Sequence, residues 1–200
     1  MRKPPASPQD RDTIAAAHPL ARALIGRLGI RTDLPMLDFG AGSGRNTRAL
    51  RAAGHRVVSV ADSVAESTTP LAGITDRFAA AISSHGLLHG MPSAVADKVG
   101  AIAARLEPVG LLYATFGSSG DARFGEGERL DDWTFAPKDG DERGVAHAYF
   151  DRDRLIALLA PHFTVDSLEE RAVDDVVGNW AHPQSPLRGA MHWFVIAAKR

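Results

Sequence analysis

The chain has 200 residues, 44% hydrophobic and 24% charged, with a formal net charge of −1. That length suits one domain with a sizeable core, since single cores grow to about 250 residues before splitting, and the near-neutral charge proposes neither a nucleic-acid nor a membrane partner. The absence of cysteine removes disulfides, a thiolate nucleophile and zinc–cysteine sites; no apolar run approaches the roughly 18 residues of a membrane span. The start, MRKPPASPQD, is basic and proline-rich without the apolar segment of a secretory signal, so a soluble, cytoplasmic protein is expected.

Residues 1–9 hold three prolines and little to bury and are expected to form a flexible tail, leaving 10–200 as a single domain. Asp10 to Leu28, with Ile14, Leu20, Leu24, Ile25 and Leu28, reads as helix, broken or begun afresh near Pro19 and ended by Gly29. His18, before that proline, reads as a surface histidine, with a place in a ligand cleft as the alternative.

Leu34 to Phe39 is short and apolar, a buried strand. Gly40, Gly42 and Gly44 follow at alternate positions, and then a helix, Arg45 to Ala53, closed by Gly54. Glycine permits positive φ and close approach of a ligand to the backbone, while the helix start offers unpaired N–H groups. The dinucleotide fingerprint is G-x-G-x-x-G; here the third glycine comes one residue early and Asp38 lies two before the first. A carboxylate there repels a pyrophosphate and suits a cation such as the ammonium or sulfonium of S-adenosylmethionine. His55 to Ala61 is a β-branched strand ended by Asp62, an acid placed for two ribose hydroxyls.

The run D-F-G-A-G-S-G (Asp38–Gly44) with V-V-S-V-A-D (Val57–Asp62) resembles the class I S-adenosylmethionine-dependent methyltransferases. Gly44-Arg45-Asn46-Thr47 is similar to the tellurite-resistance-type and related small-molecule methyltransferases. The resemblance implies a cofactor site made from Asp38, Gly40, Ala41, Gly42, Gly44, Asn46, Asp62, Ser63, Ser84 and His85. Asn46 either hydrogen-bonds the methionine part of the cofactor or satisfies the helix end.

The segment from Asp62 to Phe78 is too short for a full crossover helix and strand, so the second crossover helix is expected to be lost or reduced and the third strand, near Leu71 to Ile74, vestigial. Asp76 is the one weak counterpart to the family's adenine-binding residue. Phe78 to Ser84 reads as the fourth strand, and the residues just after it face the transferred methyl in this fold. His85 is therefore a candidate catalytic residue, and His89 shares its face if the segment is helical; the alternative is local capping. The glutamate of H-E-x-x-H is missing, so no metal site is expected. Ser84-His85-Gly86 stands where the family's N/D-P-P-Y/F signature grips amides and exocyclic amines, which counts against adenine-N6 or glutamine methylation.

Ala94 to Leu106 is an amphipathic helix; Pro108 to Gly110 turns into a fifth strand, Leu111 to Phe116. Residues 117–148, a long aperiodic segment after the fifth strand that holds Arg123, Phe124, Trp133, Phe135, Arg143 and His147, read as a substrate cap, with a solvated insertion as the alternative. His147-Ala148-Tyr149-Phe150, Asp151 as N-cap and a helix from Arg152 to Leu159 resemble the run before the family's last helix. Strands at Pro161–Glu169 and Ala190–Ala198 complete the chain, with Trp180 and His182 between them and His192 and Trp193 as packing residues.

The expected fold is therefore a Rossmann-like, doubly wound α/β sheet of six to seven strands, the last antiparallel, with helices on both faces. By resemblance the function is methyl transfer from S-adenosylmethionine to a small-molecule acceptor, with His85 and His147 as catalytic candidates and His89, Arg123, Phe124, Trp133 and His147 toward the substrate. The chain is expected to work as a monomer or homodimer. Two alternatives are a non-catalytic S-adenosylmethionine-binding protein and a nicotinamide-dependent oxidoreductase.

Overall fold

The computed structural model describes residues 7–28, 35–61, 71–140, 142–173 and 189–200. Helix α1 (Pro8–Ala15) starts on a capping box between Ser7 and Asp10, so Pro8 and Gln9 belong to the fold and not to the expected tail. The chain breaks at His18 and restarts with Pro19 at the head of α2 (Pro19–Leu28), a position where proline's missing N–H costs nothing.

Strand β1 (Pro35–Phe39) is buried along its whole length. It lies between β2 (Arg56–Val60) and β3 (Phe78–Ser83), parallel to both, with Leu37 opposite Val58 on one side and Ala81 on the other. The chain runs from β1 through α3 (Arg45–Ala52) to β2 and only then to β3 on the opposite side of β1. Strand order thus reverses at β1, and the crevice beyond its C-terminal end is the ligand site of open α/β sheets.

From β3 the chain passes through α4 (Pro92–Arg105) into β4 (Leu106–Ser118), which pairs in parallel with β3. The expected turn at Pro108 to Gly110 is instead a bulge inside β4: the register shifts opposite Phe78 and Ala80, and Val109 takes φ +56° and points to solvent. A hairpin of β5 (Glu128–Arg129) and β6 (Thr134–Ala136) follows, and β6 pairs with β7 (His147–Phe150). The segment expected to be irregular therefore carries a small sheet, tied to the main one where β7 runs beside Gly117 and Ser118. That pairing needs a glycine, since a Cβ on Gly117 would lie 2.5 Å from the Ala148 carbonyl oxygen.

After α5 (Arg152–Leu159), N-capped by Asp151, come β8 (Phe163–Ala172) and β9 (Met191–Lys199). Strand β9 inserts antiparallel between β4 and β8, giving a main sheet ordered β2-β1-β3-β4-β9-β8. This is the expected doubly wound sheet with an antiparallel last strand. The described residues 71–74 form a turn rather than a third strand.

Alternation along the strands feeds two cores. Met36, Ile82, Tyr113 and Phe194 pack on one face with Leu20 and Leu24 of α2 and Leu50 of α3. Leu37, Phe39, Leu112, Phe116 and Val195 pack on the other with Val95, Val99 and Ile102 of α4 and Leu155 and Leu159 of α5. Among the described residues no helix is long and apolar enough to cross a membrane.

Candidate functional site

The glycine turn sits where β1 ends. Gly40, Gly42 and Gly44 all take positive φ, at +70°, +50° and +75°, which a side chain would strain. Gly40 and Ala41 donate their N–H groups to the Val60 carbonyl (2.8 and 3.1 Å), pinning the turn to the end of β2. A Cβ added at Gly42 would meet no atom within 4 Å among the described residues, so the turn is open on that side. Gly86, arriving from β3, closes the other side: a Cβ there would lie 2.9 Å from the Phe39 carbonyl oxygen and 3.0 Å from Gly40 Cα.

Beneath the turn lies Asp38, 1% exposed. One carboxylate oxygen accepts a 2.5 Å hydrogen bond from the Thr47 hydroxyl, which also sits 2.7 Å from Ser59 Oγ. The other oxygen, Oδ1, is buried with no hydrogen-bond partner among the described residues. Burial pushes the Asp38 pKa up, against the pull of the Thr47 hydrogen bonds and Arg45. A buried acceptor of this kind favours a cationic donor.

Asn46, in the first turn of α3, is 5% exposed and engaged at both ends of its amide. Its Nδ2 donates to Ser84 Oγ (2.7 Å) and its Oδ1 accepts from the His18 backbone N–H (3.1 Å). Asn46 thus locks three elements together around the turn. His18 is not a surface residue, as the sequence suggested, but fully buried, stacked on Phe194 at 5.3 Å. Burial, with Arg45, His192, Arg22 and Arg171 nearby, lowers its pKa to about 3.

His85 follows β3 in the left-handed region (φ +78°), which is uncommon for a residue with a side chain and concentrates at functional sites. Its N–H donates to Thr115 Oγ1 (3.0 Å), and its ring meets that of His192 edge-on at 4.9 Å. The residue is half-buried but its Nε2 is sealed from solvent, and this burial, with His192 and His18 beside it, holds the pKa well below 6.5. His192, 1% exposed, is lowered to about 4, chiefly by burial.

His89 does not share a face with His85, because the segment is a single turn and not a helix. It is bridged instead to His147, with the two rings edge-on at 5.0 Å. His147 Nδ1 faces the Val145 carbonyl oxygen at 2.9 Å and Nε2 faces Glu142 Oε2 at 2.9 Å. Both nitrogens of this catalytic candidate are therefore engaged within the protein. Burial pushes the Glu142 carboxyl up, but the hydrogen bonds from His147 and His89 outweigh it and hold its pKa far below the usual range.

In the segment between β4 and β5, Arg123 is not a free cation: its Nε and Nη2 grip both oxygens of Asp121, each at 3.0 Å. Asp121 also accepts from the Met191 N–H (2.9 Å). Although burial pushes its pKa up, the contacts with Arg123 hold it below the usual value. Phe124 is the centre of an aromatic cluster with Trp133, Phe135 and Tyr149, at 5.3–5.6 Å. Trp133 carries the Arg154 guanidinium over its ring at 4.0 Å. Trp133 and Arg154, with Tyr149, Phe150, Ala157 and Leu158, line a cavity of about 260 Å³. Arg143 is exposed, and Asp76 pairs with Arg56 at 3.6 Å.

Asp62, Ser63, Trp180 and His182 lie outside the described residues. The sequence did not single out Thr47, Asp121 or Glu142, and it read His192 only as packing. The signal for His192 was present: an antiparallel last strand begins at the C-terminal end of its neighbour, and His192 indeed pairs with Gly117 near the end of β4.

No family model matches the chain, and no curated protein does. Solved structures do. The 1,6-didemethyltoxoflavin-N1-methyltransferase of Burkholderia thailandensis, with bound 1,6-didemethyltoxoflavin and S-adenosylhomocysteine, is 23% identical, at TM-score 0.65 over 100% of this chain and 93% of that one. A SAM-dependent methyltransferase from Methanosarcina mazei is 15% identical, at TM-score 0.60 over 88% and 96%. The magnesium protoporphyrin IX methyltransferase of Synechocystis PCC 6803, with bound SAM, is 12% identical, at TM-score 0.59 over 96% and 80%. At such identities the likeness establishes a common fold.

Proposed function

We propose that the chain binds S-adenosylmethionine on the β1–α3 glycine turn and directs its methyl group to a small-molecule acceptor held beneath the β5–β6 cap. The observation that carries this reading is Asp38: a buried carboxylate oxygen without a partner among the described residues, under three positive-φ glycines, at the point where strand order reverses. A nicotinamide dinucleotide would set a pyrophosphate against that carboxylate. A cationic cofactor offers it a donor instead. The neighbours' bound SAM and S-adenosylhomocysteine support the same choice.

The site residues fit such a group. Gly40, Ala41, Gly42 and Gly44 would cradle it and Asp38 would take its cationic end, with Asp62 assigned to the ribose from the sequence alone. Bound there, the cofactor supplies a methyl group already activated by its sulfonium. The chain's own task is to orient the acceptor and exclude water, the source of much of the rate in such transfers. The Asn46–Ser84–His18 lock holds the wall of the crevice in place. His85, just beyond β3, and His192, packed edge-on against it, are held neutral by burial and do not repel a cation.

His85 is the nearer candidate base, but its depressed pKa makes it a weak one. The site therefore suits acceptors that need little help losing a proton, such as ring nitrogens or acidic hydroxyls. His147, with both nitrogens engaged, serves better as a fixed wall. Within the methyltransferases, the Gly44–Thr47 run supports the small-molecule type; tellurite is its nearest named analogue.

The test is a mass-spectrometric assay for S-adenosylhomocysteine formation over a panel of heteroaromatic amines, phenols, thiols and chalcogen oxyanions. Turnover with one class, lost in Gly42→Val, is the expected result. Cofactor binding without turnover across the panel would favour a non-catalytic binder, a reading favoured by how fully Arg123, Asn46 and His147 are engaged within the protein. Binding of NADH with no response to S-adenosylmethionine would overturn the proposal.

A further inference from the structure

His89, Glu142 and His147 present one ligand atom each, all within 4.8 Å of one another. We infer that this cluster is a binding site for a divalent first-row transition ion of the Zn²⁺ type, against the sequence expectation of no metal. The inference is independent of methyl transfer.

The donor geometry carries it. A carbonyl oxygen only accepts, so the 2.9 Å contact of His147 Nδ1 with Val145 O places a proton on Nδ1. In the neutral imidazole Nε2 then presents a lone pair, and it faces a carboxylate oxygen of Glu142 at 2.9 Å. His89 Nε2 lies 3.4 Å from the other oxygen of the same carboxylate. Donors turned on one another in this way need a cation between them, a proton or a metal ion. Fixing the outer ring nitrogen to a backbone carbonyl is how proteins orient metal-ligating imidazoles.

The backbone holds the ligands in place as well. Gly90 N–H donates to Ala146 O (2.8 Å) and Ala148 N–H to Leu88 O (2.9 Å), bracketing the His89–His147 bridge. Lys98 Nζ secures the His89 carbonyl at 3.1 Å. Ligands about 2.0–2.2 Å from a tetrahedral zinc ion are little more than 3 Å apart, so small side-chain adjustments suffice. Two imidazoles and a carboxylate with no thiolate suit zinc, iron, cobalt or nickel over softer ions. The side chains of Glu142 and His89 are 26% and 15% exposed, which leaves the fourth position open to solvent. It would take water or an anionic oxygen of a small molecule.

The test is calorimetric titration of the chelator-treated full chain with Zn²⁺, without S-adenosylmethionine, alongside Glu142→Gln and His89→Ala. Circular dichroism confirms that each variant is folded. Expected are one ion per chain at micromolar or tighter Kd and at least a tenfold loss in each variant. Loading the native chain with Co²⁺ should add the intense visible absorption of a low-coordinate site, and Glu142→Gln should abolish it. A native affinity weaker than millimolar, or equal affinity in both variants and the native chain, would overturn the assignment.

Discussion

Lowering the pH from 7 to 5 should unload much of the stability of this fold, through histidines that burial holds neutral. His18 is fully buried with a pKa near 3, and His192 is 1% exposed with a pKa near 4; both titrate at 6.5 when unfolded. Between the folded and unfolded values the unfolded chain binds the extra proton, so stability rises with pH across that window. The contribution is complete above 6.5 and is lost as pH falls toward the folded values. At pH 5 each histidine has forfeited about 2 kcal/mol, at about 1.4 kcal/mol per pH unit. Together that approaches the lower end of a domain's whole stability, about 5–15 kcal/mol. His85 acts in the same direction. Asp38 opposes it: its pKa is raised by burial, so its contribution is present below 3.8 and lost as pH rises through its folded value. Glu142 and Asp121, both held low, keep their contributions until the pH falls below the ordinary carboxylate range. Urea midpoints at pH 7, 6 and 5 read the effect. His192→Leu should remove about half of the fall assigned to His18 and His192. A native stability that changes by less than about 1 kcal/mol, or a variant with the full slope, would refute buried neutral imidazoles at this site.

Two further substitutions probe the frame of the crevice. Gly86→Ala places a methyl group 2.9 Å from the Phe39 carbonyl oxygen and 3.0 Å from Gly40 Cα, an overpacking that costs about 1–3 kcal/mol. It should lower the melting temperature and weaken S-adenosylhomocysteine binding together; unchanged values for both would show that the turn yields freely. Asp121→Asn removes the charge that holds Arg123, whose side chain is 31% exposed. The loss should be about 2 kcal/mol, below that of a fully buried pair, in urea unfolding at pH 7. Because Asp121 contributes above 3.8 and loses that contribution as pH falls through its lowered folded value, the gap between variant and native chain should close in acid. A gap that stays constant would mean that the charge is not what holds Arg123.

The elements legible in the sequence were those with a local cause. The glycines at 40, 42 and 44, the break at Pro19 and the Asp151 N-cap each act within a few residues, and each stands where expected. What the sequence missed depends on distant pairing. His18 is buried because Phe194, from the last strand, stacks on it. Asn46 spans from α3 to Ser84 and to His18. The β5–β6 hairpin, with strands of two and three residues, is too short for alternation to reveal; the aromatic packing around Phe124 defines it instead. Arg123 looked available in sequence because Asp121 looked like one loop acid among several. Only the fold turns it inward, where the Met191 N–H also reaches it.

The most direct measurement is calorimetric binding of S-adenosylmethionine and S-adenosylhomocysteine to the native chain and to Asp38→Asn and Asp62→Ala. Micromolar binding by the native chain is expected, with at least a tenfold loss, about 1.4 kcal/mol, in each variant. A native chain that binds neither compound would contradict the assignment of S-adenosylmethionine to the glycine turn.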